Sequence, residues 1–287
     1  MRSIENKTFH TMSKYSMIGH GEKIAVGVSG GKDSLALLHV LKRILKKDNK
    51  NEIVAITIDE GISEYRDESL SIVRSFCSNL GVPLRIFAYK DLFGVSMDEA
   101  MVQRPSAKVR SCSICGTFRR RAIDIAAKAV NADVVATGHN LDDHLQTFMI
   151  NLFSGDVERV GWMYPEPIVY NEGLKKIKPF VEIYESEIVF YAFQSGIEFQ
   201  SEQCPYMNES IRSNFREFLN ELEKTHPGIK YNCFNSVNKI SNLIRSSGIN
   251  GSRASFSSSS TKKSCSKCGN ISTNDVCSVC KTLFILS

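Results

Sequence analysis

The residues of this chain best suited to chemistry fall into three groups. The first is Ser29, Gly30, Gly31, Lys32, Asp33 and Ser34, a glycine turn with a lysine between an apolar run and an amphipathic one. Two glycines let the backbone approach an anion, unpaired N–H groups at a helix start face it, and Lys32 adds a point charge. The loop G-x-x-x-x-G-K-[ST] does not fit, because Val26 stands at the first glycine position and Asp33 follows Lys32. The second group is sulfur: Cys112 and Cys115 in C-S-I-C, backed by Arg119, Arg120 and Arg121, and Cys204 before Pro205. A cysteine pair at a helix start with arginines behind it predicts at least one thiol of lowered pKa, the thiolate that metals and sulfur chemistry use. Two buried structural cysteines, or a thioredoxin-type disulfide, are the rival readings, although the latter motif belongs after the first strand of a smaller fold. The third group is Cys265, Cys268, Cys277 and Cys280, two Cys-x-x-Cys pairs with eight residues between them. That spacing closes a tetrahedral Zn²⁺ site, without which so short a tail would not fold.

These groups need elements to position them. Apolar runs at 24–28, 53–58, 84–89 and 133–137 read as strands, and helical spacing follows at 35–45, 68–80, 122–130 and 141–152. The alternation predicts an α/β fold with a doubly wound parallel sheet, in which ligands sit beyond the carboxyl ends of the strands. The turn after the second strand, containing Ile58 and Asp59, is therefore expected beside a nucleotide, near its adenine or ribose. Gly138, His139, Asp142 and Asp143 follow the fourth strand. The two aspartates either favour a helix dipole or place one carboxylate on a Mg²⁺ that bridges nucleotide phosphates. His139 by itself reads as a structural histidine, and His144 is assigned nothing. Residues 91–110 read as irregular and increasingly basic, with Arg104, Lys108 and Arg110 leading into Cys112. A basic strand-like stretch at 175–180 runs into a helix at 182–193, and 210–245 is patterned as helix. Cys77 and Cys233 have no partner spacing and read as structural. The serine-rich 246–263 reads as a flexible linker. The expected organisation is an arm at 1–22, a nucleotide domain at 23–205, a helical extension at 206–245, the linker, and a zinc module at 264–287.

Bulk properties narrow the class. The 287 residues can bury a core without disulfides, and 42% hydrophobic with 23% charged residues is ordinary for a soluble chain. No apolar run suits a membrane span or a secretory signal, so a cytoplasmic protein is expected. Nine cysteines in such a setting are metal ligands or reactive thiols rather than disulfides. A net charge of +5 permits a polyanionic partner without demanding one.

S-G-G-K-D-S at 29–34 resembles the signature of the ATP pyrophosphatases, the PP-loop family. With C-S-I-C at 112–115, T-G-H-N-L-D-D at 137–143, K-P-F at 178–180, E-Q-C-P at 202–205 and the zinc tail, the sequence resembles the archaeal and eukaryal tRNA 2-thiouridine synthetases. The resemblance implies that ATP lies on residues 29–34 with Ile58, Asp59, Gly138 and His139 around its nucleoside, and that Asp143 stands near Mg²⁺. It implies that uridine O2 attacks the α-phosphate, pyrophosphate leaves, and C2 accepts sulfur with loss of AMP. Lys32 would stabilise that transition state. It implies further that Cys112, Cys115 and Cys204 hold a [4Fe–4S] cluster with one iron open to hydrosulfide. Arg104, Lys108, Arg110, Arg119 and Arg120 would approach tRNA phosphates. Sulfide or a ubiquitin-like sulfur carrier is the implied donor, and a homodimer the implied assembly. Many relatives begin with a further zinc module, whereas no cysteine precedes Cys77 here, which favours the wobble uridine over the T-loop uridine. Three alternatives remain at this level: persulfide transfer between Cys112 and Cys204 without a cluster, a PP-loop amide synthetase acting on a small acid, and a non-catalytic RNA-binding module.

Overall fold

The computed structural model describes residues 2–46, 50–106, 109–169, 174–206, 211–247, 263–272 and 274–286. The nucleotide domain is built on a sheet whose strands are β1 (Lys23–Gly27), β2 (Glu52–Asp59), β3 (Leu84–Ala88), β4 (Val134–Ala136), β5 (Ile168–Val169) and β6 (Lys175–Ile177). Their spatial order is β3-β2-β1-β4-β6-β5, parallel except for the antiparallel edge strand β5. Ile24 pairs with Ile53 on one edge and Val134 on the other, so β1 is central, and with helices on both faces of the sheet its side chains are apolar in both directions. The order reverses between β1 and β4, which opens a crevice at their carboxyl ends.

Helices cover both faces. On one lie α1 (Arg2–Lys14), α2 (Lys32–Leu45), α3 (Tyr65–Leu80), α7 (Leu141–Phe153) and α9 (Glu185–Gln194), which contribute Met12, Leu38, Val73, Leu145 and Ile188 to one core. The arm expected at the N-terminus is thus a helix, and it packs on α2 and α9 rather than on β1. On the other face lie α4 (Tyr89–Phe93), α5 (Met97–Gln103) and α6 (Ser111–Ala129), with Tyr89, Met97, Phe118 and Ala126 in a second core. The stretch read as irregular therefore holds two short helices. Ser96 caps α5 by accepting from the Glu99 N–H, and Glu99 returns the bond. The helix expected from residue 122 begins at Ser111 instead, because Ile114, Phe118, Ala122 and Ala126 form one buried stripe at fourfold spacing.

After the short α8 (Val157–Gly161), α10 (Ile211–Thr225) and α11 (Ile229–Ser247) extend the first face and pack on α7 and α8. The serine-rich segment read as a linker lies, apart from its ends, outside the described residues. Beyond it the strands β7 (Lys263–Ser264) and β8 (Ile271–Ser272) form a hairpin, followed by α12 (Ser278–Leu286). This tail sits on the nucleotide domain: α12 contacts α6, with Leu286 buried and Val279 and Leu283 packed on the second core.

Candidate functional site

The loop after β1 is shaped by glycine and closed by its own side chains. Gly30 has φ of +90°, and a Cβ there would lie 2.8 Å from the Ser69 Cβ, so no larger residue fits. The Ser29 N–H donates to Ser34 Oγ at 3.0 Å, and that hydroxyl donates to the Gly31 carbonyl at 2.9 Å. Arg66 Nη1 holds the Ser29 carbonyl at 2.9 Å, and the Gln200 N–H holds the Gly30 carbonyl at 3.0 Å. No side chain caps α2, whose N-cap is Gly31, so the orphan donors of its first turn point to the crevice.

Charges around this turn are crowded. Lys32 Nζ lies 2.6 Å from Glu185 Oε1 and 3.0 Å from Asp33 Oδ2. Burial opposes its charge, but Asp33 and Glu185 prevail and hold the lysine above its usual pKa. Burial raises Asp33 above the ordinary carboxylate range against the pull of Lys32, and Asp143 and Glu185 add to the rise. Asp143 is raised as well, chiefly by burial. Asp33 raised by Asp143 and Glu185, and Asp143 raised by Glu185, suit a divalent cation, which reverses the sign of such repulsion. Asp142 is engaged elsewhere, since its carboxylate pairs with buried Lys230 and accepts the Glu185 N–H at 2.7 Å. Asn140 joins the loops, accepting from the Asp143 N–H at 3.0 Å and donating to Asp33 at 3.3 Å. A Cβ on Gly138 would sit 2.9 Å from the Asp33 backbone, which is why glycine stands there.

A cavity of about 250 Å³ opens over this crevice, and Ser29, Gly31, Ile58, Arg66, Arg119 and Cys204 are among its lining residues. The loop and one motif cysteine therefore share a single space. Asp59 turns its carboxylate to the Gly61 N–H at 2.9 Å, and the neighbouring Glu60 lines the cavity instead. Buried Glu60 ties two arginines, at 2.9 Å to Arg66 Nε and 3.0 Å to Arg119 Nη2. Arg119 reaches Cys115 Sγ at 3.2 Å, so one buried carboxylate links the phosphate loop to the thiols.

The motif thiols come from two segments, Cys112 and Cys115 from the first turns of α6 and Cys204 from the chain beyond α9. Ser111 Oγ donates to the Tyr206 carbonyl at 2.7 Å, which fastens the Cys204 segment to the start of α6. Burial pushes the Cys204 and Cys115 thiols up; Arg119 pulls both down, while Cys112 raises Cys204 and Cys204 raises Cys115. At Cys115, one of the pair for which a lowered thiol pKa was expected, the shift is upward, because desolvation outweighs the arginine. Thiols so placed that Cys112 opposes the charge of Cys204 and Cys204 that of Cys115 are a donor set that an iron–sulfur cluster would fit. Cys77 is buried with its thiol pushed up to about 11, as a structural cysteine should be.

Of the basic residues expected to face RNA, Arg119 turns inward to Glu60, Arg110 is the N-cap of α6, and Arg104 closes α5. Arg120 lines a second cavity, and Lys108 lies outside the described residues. His139 also borders that second cavity; its Nδ1 is 2.8 Å from Thr137 Oγ1, and desolvation lowers its pKa to about 4, so the ring is neutral. Residues that motif reading passed over are Arg66, Glu185, Gln200 and Asn140. Only Asn140 had a readable signal, the N-x-x-D capping pattern.

In the tail, the sulfurs of Cys265, Cys268, Cys277 and Cys280 all lie within 4.8 Å of one another. The Cys277 N–H donates to Cys265 Sγ at 3.3 Å and the Cys280 N–H to Cys277 Sγ at 3.4 Å, contacts that favour thiolate. The four fit a structural Zn²⁺.

A doubly wound sheet with a glycine–lysine loop at its switch point, sharing one cavity with a motif cysteine, defines a nucleotide-using α/β enzyme with sulfur or metal chemistry at hand. Residues 2–223 match the PP-loop domain and 263–281 the four-cysteine zinc finger domain of RecR, and the chain belongs to the PP-loop family. It is 35% identical over 283 residues to cytoplasmic tRNA 2-thiolation protein 1 of Chlamydomonas reinhardtii, covering 98% of this chain and 76% of that one. The protein of the same name from Saccharomyces cerevisiae is 36% identical over 283 residues, covering 97% and 77%. The fold also matches the solved U34-tRNA thiolase NcsA from Methanococcus maripaludis with its [4Fe–4S] cluster. The TM-score is 0.79 at 29% identity, over 98% of this chain and 86% of that one.

Proposed function

We propose that this protein is an ATP-dependent tRNA 2-thiolation enzyme that acts at the wobble uridine in the cytoplasm. The observation that carries the reading is the single cavity shared by the phosphate loop and Cys204. The backbone of residues 29–34 and the first turn of α2 would hold the triphosphate of ATP. Lys32 would offset charge as uridine O2 attacks the α-phosphate and the bond to pyrophosphate breaks. Asp33 and Asp143, which repel each other, would hold Mg²⁺ between them. Hydrosulfide then attacks C2, the C2–O bond breaks, and AMP carries the oxygen away. When held by Cys112, Cys115 and Cys204, a [4Fe–4S] cluster supplies an iron without a protein ligand, at which hydrosulfide can be kept. Arg119, fixed by Glu60, would place positive charge beside that sulfur.

The division of labour proposed is a nucleotide domain at 23–205, a helical extension at 206–245 and a zinc module at 264–287. Sulfide or a ubiquitin-like carrier is the donor the reading requires, and a homodimer the assembly it expects.

The test is mass spectrometry of tRNA nucleosides, mapped by position, from cells with the protein, without it, and with Lys32→Ala. Loss of 2-thiouridine at the wobble position in the last two supports the proposal. Loss in the T-loop instead would correct the position, and unchanged 2-thiouridine would overturn the reading. ATP–pyrophosphate exchange indifferent to tRNA would favour an amide synthetase.

A further inference from the structure

A second cavity, of about 280 Å³, lies beside the first, and Ile123 and Thr137 border both. The phosphate loop lines only the first. The second is near the lower end of small-molecule sites, a size that suits one nucleoside. Its mouth carries Trp162, which is 50% exposed although it is the only tryptophan in the chain. An indole left half in solvent at a cavity rim is a ready stacking surface for a base. The neighbouring Tyr164 is already engaged, edge-on to Tyr15 at 5.9 Å with the Arg245 guanidinium 5.3 Å from its ring centre.

Deeper in, His144 lines the cavity at 4% exposure, and neither of its ring nitrogens has a hydrogen-bond partner among the described residues. Phe234 covers it edge-on at 5.2 Å. Two buried, unpaired polar atoms are unusual in a folded protein and point to a missing ligand. An imidazole ring can offer one donor and one acceptor. An imide base such as uracil also presents both a donor and acceptors. Arg120 and Lys178 stand on the walls, where they can meet the phosphates on either side of an unstacked nucleotide.

We infer that this second cavity receives the unstacked target uridine of the RNA, with Trp162 as its stacking platform, His144 at its floor, and Arg120 and Lys178 toward the flanking phosphates. The inference rests on the tRNA-thiolation reading and gives it a geometry: ATP and uridine enter neighbouring cavities, and the uracil edge reaches the ATP where Ile123 and Thr137 border both.

The test uses the full-length protein and an anticodon stem-loop RNA carrying 5-iodouridine at the target position, irradiated and mapped by peptide mass spectrometry. The crosslink is expected on the peptide containing Trp162. Fluorescence of the lone tryptophan should be quenched by the uridine stem-loop and much less by the same RNA with an abasic target. Trp162→Ala should raise KM for tRNA by about tenfold, the scale of losing one base stack, and Trp162→Phe should restore most of it. A crosslink elsewhere, equal quenching by the abasic RNA, or labelling of the Trp162 peptide by 8-azido-ATP would overturn the inference. If wild-type protein thiolates no tRNA, the proposed function fails, and the crosslink and quenching still decide whether the cavity binds the base.

Discussion

The two neighbouring cavities are built on opposite principles. In the first, the charged groups stand in ion pairs, Lys32 with Asp33 and Glu185 and Glu60 with Arg66 and Arg119, although Glu60 Oε2 and Arg66 Nε, 2.9 Å apart, are not aligned as a hydrogen bond. In the second, His144 is buried with both nitrogens unanswered and Trp162 is left half in solvent. A site of paired charges is preorganised for charge that develops during a reaction, since nothing must reorient when the charge appears. A site with unpaired polar atoms and an exposed aromatic is completed by what binds there. The difference separates a reacting cavity from a receiving one, and it can be attacked from either side.

The largest effect is expected at the thiol edge of the first cavity. Cys204→Ser removes one of the three motif thiols, and thiolation should fall to background while iron, measured on anaerobically purified protein, is lost and zinc stays. Full thiolation by a colourless Cys204→Ser protein would break the assignment of that cavity to sulfur delivery. Next, Lys32→Ala should lower kcat by about 10²–10³-fold, the cost of removing one preorganised positive group from a phosphoryl transition state. If single-turnover kinetics showed only weaker ATP binding, Lys32 would be a ground-state anchor.

Glu60→Ala probes the link between loop and thiols. It leaves Arg66, 4% exposed, without its carboxylate, and breaking a buried pair in this way costs about 3 kcal/mol. Urea unfolding should show that loss, and iron should leave the variant faster because Arg119 is no longer held beside Cys115. Unchanged stability would mean that water replaces the carboxylate, and the first cavity would then be less tightly paired than its geometry indicates.

Much of this arrangement was legible in the sequence, for reasons that individual residues make clear. Gly30 and Lys32 announced themselves because an anion cradle needs a positive φ and a charge at fixed spacing, and the strand before them sets their place at the switch point. The four tail cysteines were legible because local spacing alone defines a tetrahedral site. Cys204 could be suspected but not located, since its approach to Cys112 and Cys115 depends on Gln200 holding Gly30 and Ser111 holding Tyr206. The start of α6 was hidden because Gly116 and the arginine run mask the stripe Ile114, Phe118, Ala122 and Ala126. The packing of α12 on α6 could not be read at all, since a serine-rich segment says nothing of where the following residues dock. The second cavity was equally hidden, because an unpaired histidine is a fact about surroundings and not about residue type.

The smallest effect is in the second cavity and concerns pH. His144 has its pKa lowered from 6.5 to about 3 by burial, so the folded state binds its proton far more weakly than the unfolded chain. The stabilising difference is complete above about pH 6.5 and is lost as pH falls toward about 3, because the unfolded state then gains a proton that the folded state refuses. Each pH unit within that window removes at most about 1.4 kcal/mol, and between pH 7.5 and 5.5 the loss should be about 1.4 kcal/mol in all. Carboxylates titrate over the lower part of the same range, with Asp33 and Asp143 acting in the opposite sense because their folded-state pKa values are raised. The measurement is therefore a difference: urea midpoints of wild type and His144→Leu at both pH values. Wild type should lose more on acidification than the variant, and a uridine stem-loop should offset part of that loss by binding only the folded state. Equal acid losses in the two proteins would mean that water already partners His144 in solution, and the contrast between a paired and an unpaired cavity would disappear.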